Sequence, residues 1–305
     1  MVKDLFIVGF GNLHQMKIFV FALILMVYLT IIIGNVFVIC LIIISPKLHT
    51  PMYFFLCNLS TCEKKISSII IPSILNTVWW NGGTMSLYGC ITYFYVGASV
   101  ASAECLFLTI MAYDRYLAIC RPVRYSSIMN NKTCNYLAVW AWLYSFLEML
   151  LSSISVYNLQ FCGSNTIDFM YCDITPIVEL STTDPTAAKR HALLMATIVC
   201  ILPFMLVMLS YLSIFWTIQK MSAKTGRQKA FSTCSSHLAS VCTYFGSLFI
   251  IYFVPNQQKS LQIKKILVLI YTMGVPLLNP FIYSLRNQEM KVSFKIYFLP
   301  ALIKQ

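Results

Sequence analysis

Apolar residues along this chain come in long unbroken runs, without the polar stripe that a water-facing helix needs every three to four residues. Phe19–Ile44 holds no charge at all, and about 20 apolar residues suffice to cross a hydrocarbon core of ~30 Å. Further runs follow, and the pattern predicts membrane-crossing helices at 18–44, 52–78, 90–119, 134–157, 188–219, 231–254 and 263–285. The first run is too long for the apolar part of a signal peptide and no small-residue cleavage site follows it, which predicts a retained helix. The second is the weakest, because Glu63, Lys64 and Lys65 sit at its middle. After Asn287, Lys291 and Lys295 fall beside Phe294 and Phe298, the spacing of a short amphipathic helix lying on a membrane surface. The expected fold class is an all-α membrane protein: one seven-helix bundle over residues 1–305 with a short amphipathic C-terminal helix.

Composition agrees. The chain is 59% hydrophobic and 10% charged, against roughly 45–50% and 25% in soluble domains, so an ordinary soluble enzyme is excluded. The net charge of +12 is distributed unevenly. One set of connecting segments carries thirteen Lys and Arg against Asp114 and Glu289; the other carries seven against five acids. Positive charge gathers on the cytoplasmic side, which places the N-terminus outside and the C-terminus inside at the plasma membrane. The same excess suits an acidic inner leaflet of membrane lipid. It does not suit nucleic acid, since the cations are divided among short loops.

The sequence has 12 cysteines, but only Cys90, Cys162 and Cys172 fall on the predicted outer side. Three cysteines permit one disulfide and leave one thiol; spacing alone does not choose the pair. The four histidines are dispersed and no Cys-x-x-Cys occurs, so no zinc site is expected. Phosphate loops, Gly-x-Ser-x-Gly elbows and His-Glu-x-x-His helices are absent, and no enzymatic activity or organic cofactor is expected. Lys264 and Lys265 lie at the outer edge of the last run, so a mid-membrane Schiff base is not expected either. The ionisable groups inside the runs are the sharpest feature, because each costs several kcal/mol there unless it is partnered. Glu63 and Glu104 both fall at mid-depth. Facing each other, two carboxylates can bind a cation such as sodium or share a proton; apart, each simply hydrogen-bonds a neighbouring helix. Glu63, Lys64, Lys65 and Glu104 also suit the ion path of a seven-span transporter.

Four motifs then narrow the reading. Met111-Ala112-Tyr113-Asp114-Arg115-Tyr116-Leu117-Ala118-Ile119-Cys120 ends the third run. Leu48-His49-Thr50-Pro51-Met52-Tyr53 opens the second, and Lys229-Ala230-Phe231-Ser232-Thr233-Cys234-Ser235-Ser236-His237 opens the sixth. Pro276-Leu277-Leu278-Asn279-Pro280-Phe281-Ile282-Tyr283 closes the seventh. In this order the chain resembles the vertebrate olfactory receptors, a branch of the rhodopsin-like G-protein-coupled receptors, over nearly its whole length.

That resemblance implies a small, mostly apolar volatile odorant as ligand and a stimulatory olfactory heterotrimeric G protein, raising cAMP, as partner. It implies a ligand pocket faced by Gly97, Ala98, Ala101, Ser102, Met195, Val199, Phe245, Leu248, Phe249 and Tyr252. It assigns coupling and switching to Asp114, Arg115, Tyr116, Tyr211, Asn279, Pro280 and Tyr283, and a disulfide to Cys90 and Cys172. A second loop bridge usual in the family has one half at Cys162, but Thr182 stands where the other belongs, which leaves Cys162 free. Further departures are Tyr244-Phe245-Gly246 in place of Phe-Tyr-Gly and the lack of an Asn-x-Ser/Thr acceptor before the first run. A receptor of the same fold for a peptide or an amine is the other reading. Gly97, at the depth where an amine receptor carries an acid, disfavours the amine, and the uncharged pocket set favours a neutral ligand.

Overall fold

The computed structural model describes residues 2–184, 186–220, 224–254 and 258–298. Side chains at 224–233, 235–236, 258–260 and 285–286 lie outside the described set; they include most of the Lys229–His237 motif. The long helices are α1 (Lys17–Ile44), α2 (Pro51–Trp80), α3 (Leu87–Cys120) and α5 (Asn131–Tyr157). A short helix, α4 (Pro122–Ile128), joins α3 to α5, and another, α6 (Ile174–Glu179), lies in the long loop after α5. Then come α7 (Thr186–Ala196) and α8 (Leu202–Gln219), joined without a break by a π turn at Thr197–Ile201. α9 (Lys224–Phe253) follows. α10 (Gln258–Leu269) and α11 (Val275–Arg286) are likewise joined by a π turn at Ile270–Gly274, and α12 (Gln288–Tyr297) is the short amphipathic helix.

The polarity of the bundle is inverted relative to a soluble protein. On α1 the exposed side chains are Ile18, Phe19, Leu23, Met26, Leu29 and Ile33, while its Asn35 is fully buried. Ser60, Glu63 and Ser67 of α2 and Ser99 and Glu104 of α3 are buried as well. Apolar residues outside and partnered polar residues inside are what a hydrocarbon solvent selects. Among the described residues, five helical rods are long and apolar enough to cross a membrane: His14–Ile44, Leu87–Cys120, Asn131–Tyr157, Thr186–Gln219 and Leu261–Ser284. The other two expected crossings fall short for separate reasons. α2 has the length but carries three charges at its centre, and α9 is apolar only over His237–Phe253.

α3 is the most buried of the five rods and packs against α2, α5, α8 and α9. α1 packs on α2 and α11. The approach of α1 to α11 is close because position 34 is glycine: a Cβ there would meet the Pro280 ring at 3.3 Å. Ser86 and Asn130 cap α3 and α5 by accepting from the Gly89 and Thr133 backbone N–H groups, which satisfies donors left open at a helix start. α12 is tied back to the bundle. Tyr53 donates to Glu289 at 2.8 Å, Ser45 meets Ser293 at 2.9 Å, and Phe37 packs against Phe294 and Phe298.

One end of the bundle carries a small sheet that the hydropathy pattern does not predict. β1 (Asp4–Ile7) pairs antiparallel with β2 (Gly83–Ser86) and parallel with β3 (Thr166–Ile167). Leu5 and Ile7 point inward and are buried, while Asp4 is exposed, the period of two expected of a strand with one covered face. The opposite end carries Arg115, α4 and α12.

Candidate functional site: a cavity and a polar switch

A cavity of about 450 Å³ lies beneath the sheet end, walled by α3, α5, α7, the first π turn, α9 and α10 and roofed by α6 and the residues before it. Gly97, Ala98, Ala101, Ser102, Met195, Val199, Leu248 and Tyr252 all line it. The volume arises where α3 presents Gly97, Ala98 and Ala101, residues with little or no side chain. Phe245 and Phe249 do not line it, which corrects the sequence expectation. Phe245 is buried against Phe204 and Tyr244; Phe249 is 50% exposed on the outer surface, where it stacks on Phe253. Leu248 and Tyr252 form one i, i+4 stripe of α9, and the two phenylalanines form the neighbouring one, about 60° round the helix.

The wall is less neutral than expected. Near the roof it includes Asp173, Glu179, Lys189 and Lys264. Asp173 caps α6 through the Ile174 N–H at 2.7 Å and accepts from the Tyr252 hydroxyl at 3.4 Å. Burial pushes the Asp173 carboxyl up to about 6, against the opposing pull of those two hydrogen bonds. Tyr171 and Tyr271 share a hydrogen bond at 2.5 Å across the same region. Beside it, Lys265 Nζ donates to Asp168 at 2.6 Å and to the Gly9 carbonyl at 3.0 Å, joining α10, the long loop and the segment after β1. The sequence puts these charges on the outer side but not at the cavity, because their loop and helix-edge positions carry no periodicity.

Cys90 and Cys172 form a disulfide that pins the roof to the start of α3. Cys162 is free and exposed. Thr182 lies beside that segment: its N–H and hydroxyl donate to the Gln160 carbonyl at 2.9 and 3.0 Å, and its methyl is 3.5 Å from the Cβ position of Gly163. Hydrogen bonds hold here the two chains that a second bridge would have joined.

At the opposite end Arg115 makes two hydrogen bonds to Asp114 Oδ2, at 2.8 and 3.2 Å. Asp114 is fully buried and its other oxygen accepts from Tyr125 of α4 at 2.8 Å. Arg115 is thus clamped, with 21% of its side chain exposed. Tyr116 stacks on Tyr113. Tyr211 and His237 share a hydrogen bond at 2.5 Å between α8 and α9. The Tyr283 hydroxyl is buried and, among the described residues, has no hydrogen-bond partner.

Between the two ends runs a polar seam. Proline has no N–H to give to the carbonyl four residues back. Pro276 therefore frees the Thr272 carbonyl, which accepts from Ser67 of α2 at 3.3 Å. Pro280 frees the Pro276 carbonyl, which accepts from Asn35 of α1 at 3.3 Å. Asn279 bridges two further helices: its amide donates to Glu63, and its carbonyl oxygen accepts from Ser240 at 2.7 Å. Glu63 and Glu104 are both buried, lie within electrostatic reach of each other, and each keeps one oxygen without a partner among the described residues. Lys65, next in sequence but one, stands over the Trp142 ring at 4.6 Å on the outside of the bundle. It is a cation–π pair, not a counter-ion to Glu63.

A mostly apolar cavity, a roof pinned by a disulfide, a helix whose prolines leave carbonyls refilled by neighbouring helices and a clamped arginine at the far end lie along one helical bundle. Comparison with known proteins agrees. The olfactory receptor family model matches residues 24–299. The chain is 39% identical to olfactory receptor 5G29 of Mus musculus over 294 residues, covering 96% of this chain and 94% of that one. It is 38% identical to olfactory receptor 10AG1 of Homo sapiens over 289 residues, covering 95% and 96%. To olfactory receptor 2G6 of Homo sapiens it is 36% identical over 303 residues, covering 99% and 96%. Olfactory receptors are a receptor family and not an enzymatic one, and with similarity of this extent and length the chain belongs to the olfactory receptor family.

Proposed function

We propose that this chain is a seven-span odorant receptor of the plasma membrane that takes a small, mostly apolar ligand into the cavity and activates a stimulatory heterotrimeric G protein, raising cAMP. The observation that carries the reading is the joint arrangement of a drug-sized cavity and the Asp114–Arg115–Tyr125 clamp at opposite ends of α3. A ligand that binds better when the far end is open shifts the population toward that state, by no more than its differential affinity. Opening frees the Arg115 fork of donors for the backbone carbonyls of the partner. Asn279, Pro280 and the refilled carbonyls of Thr272 and Pro276 support a hinge at this level of the bundle. Lys and Arg excess puts the sheet end outside and the Arg115 end in the cytoplasm.

The test is cAMP in cells expressing the tagged chain against a broad odorant panel, with surface staining in the same wells. Dose-dependent cAMP from some panel members is expected; silence at good surface level across the panel counts against the reading. The Glu63–Glu104 pair fits a sodium ion in the resting state, because each carboxylate has an unpartnered oxygen to offer. In the same assay, raising extracellular sodium is expected to shift the agonist curve to higher concentration in the wild type but not in Glu104→Gln. An equal shift in both removes sodium from the account.

Orientation and the odd cysteine are checked together. A membrane-impermeant maleimide added to intact cells is expected to label the wild type, and Cys162→Ser is expected to abolish the labelling. Label that persists in the variant contradicts the free Cys162, and no label on the wild type contradicts the orientation.

A further inference from the structure

Glu148 takes no part in the switch just described, yet it is buried beside the cavity. It sits on α5, 6% exposed. On its own helix Met149 and Ser152 both line the cavity, and Ser152, one turn on, shares its face. Across the gap, Ser102 of α3 also lines the cavity, and its hydroxyl donates to Glu148 Oε2 at 3.3 Å. Glu148 Oε1 and Ser152 Oγ are buried and, among the described residues, have no hydrogen-bond partner.

These contacts set the sign of the polar group that the cavity offers. A serine hydroxyl has one proton. That of Ser102 is committed to Glu148, so Ser102 meets a ligand as an acceptor. The second carboxylate oxygen behind it is an acceptor too. Ser152 has a hydroxyl free to give or take. A carbonyl or ether can accept only from Ser152 and leaves its remaining lone pairs facing the Ser102 acceptor. A hydroxyl or amino group donates to Ser102 and can accept from Ser152 with its own lone pair. The cations of the cavity lie elsewhere: Lys264 is near the roof, within electrostatic reach of Glu179 and Asp173.

We propose that Ser102, Ser152 and Glu148 form a hydrogen-bond-accepting anchor at the inner side of the cavity, which selects ligands ending in a hydroxyl or amino group over aldehydes, ethers and hydrocarbons of the same skeleton. The inference rests on the odorant-receptor reading above and names its ligand class. Ser102 acts here as a specificity residue, and Glu148, which does not line the cavity, acts through it as a positioning residue.

The experiment uses the full chain in cells, with cAMP as readout and surface staining as control. The probes are sets of small volatiles sharing one skeleton and differing only in the head group: alcohol, primary amine, aldehyde, methyl ether and hydrocarbon. In the most active set the alcohol or the amine is expected to have an EC50 at least about tenfold below the aldehyde and ether, the worth of one net hydrogen bond. The alcohol-to-amine ratio shows which donor the site prefers. Glu148→Leu releases the Ser102 proton, so the preference is expected to vanish or reverse, with the aldehyde gaining relative to the alcohol; Glu148→Gln keeps an amide oxygen that accepts from Ser102 and is expected to retain the preference. A merely structural role for Glu148 lowers all head groups alike. Equal or better response to aldehyde and ether in the wild type overturns the inference, as does a donor preference that survives unchanged in Glu148→Leu. Silence toward every set at full surface level counts against the receptor reading itself, and the inference falls with it.

Discussion

Arg115→Ala abolishes agonist-stimulated cAMP while leaving the receptor at the cell surface: this is the largest functional effect expected of a single substitution. The guanidinium is partly exposed and, among the described residues, bonded only within the Asp114–Tyr125 clamp, so its loss removes few packing contacts. It leaves Asp114, which is fully buried, with one partner fewer, a cost on the order of 1–3 kcal/mol. That cost falls on the closed state and cannot restore coupling, because alanine has no donors for the partner's carbonyls. Asp114→Asn is expected to act in the opposite direction. It weakens the hold on Arg115 without removing it, and so raises cAMP in the absence of agonist. The check is basal and stimulated cAMP at matched surface staining. An Arg115→Ala receptor that still responds fully contradicts the role given to the clamp.

The second large effect is on folding. Cys90→Ser or Cys172→Ser opens a bridge between residues 82 apart in sequence. Loss of a disulfide typically costs about 2–5 kcal/mol. Here it also releases the roof: Tyr171 and Asp173 flank Cys172, and both are buried over the cavity. Surface staining is expected to fall severalfold and the odorant response to disappear with it. Cys162→Ser serves as the control, because its thiol is free and exposed, and it should leave both unchanged. Equal thermal stability of purified wild-type and Cys90→Ser protein contradicts the structural role of the bridge.

What the sequence made legible follows from range. Runs of apolar residues are local, so α1, α3, α5 and the rods built from α7–α8 and α10–α11 could be read directly. Motif residues such as Asp114, Arg115 and Asn279 were legible through the resemblance. The sheet was not. Its strands have two to four residues, and β1 pairs with segments near 85 and near 166, so nothing local announces it. The side of α9 that meets the cavity was half legible: helical spacing gave two adjacent stripes, and only packing decides that Leu248 and Tyr252 face in while Phe249 faces out. Glu148 falls inside the predicted span 134–157, but its link to Ser102 joins residues 46 apart on two helices. Lys65 read as a misplaced charge because its Trp142 partner belongs to another helix. The prolines were legible as breaks; that Ser67 and Asn35 accept the task of refilling the freed carbonyls was not.

An odorant in the cavity is expected to open the Arg115 end to a G protein. This coupling is tested most directly with purified receptor in lipid nanodiscs and a purified stimulatory olfactory heterotrimer. The measurement is guanine-nucleotide exchange with and without an odorant found active in cells. The odorant is expected to accelerate exchange in the wild type and to have no effect with Arg115→Ala or with the cavity filled by Ala101→Trp. Odorant-driven exchange that persists in the cavity-filled receptor, or no acceleration in a correctly folded wild type, contradicts that coupling.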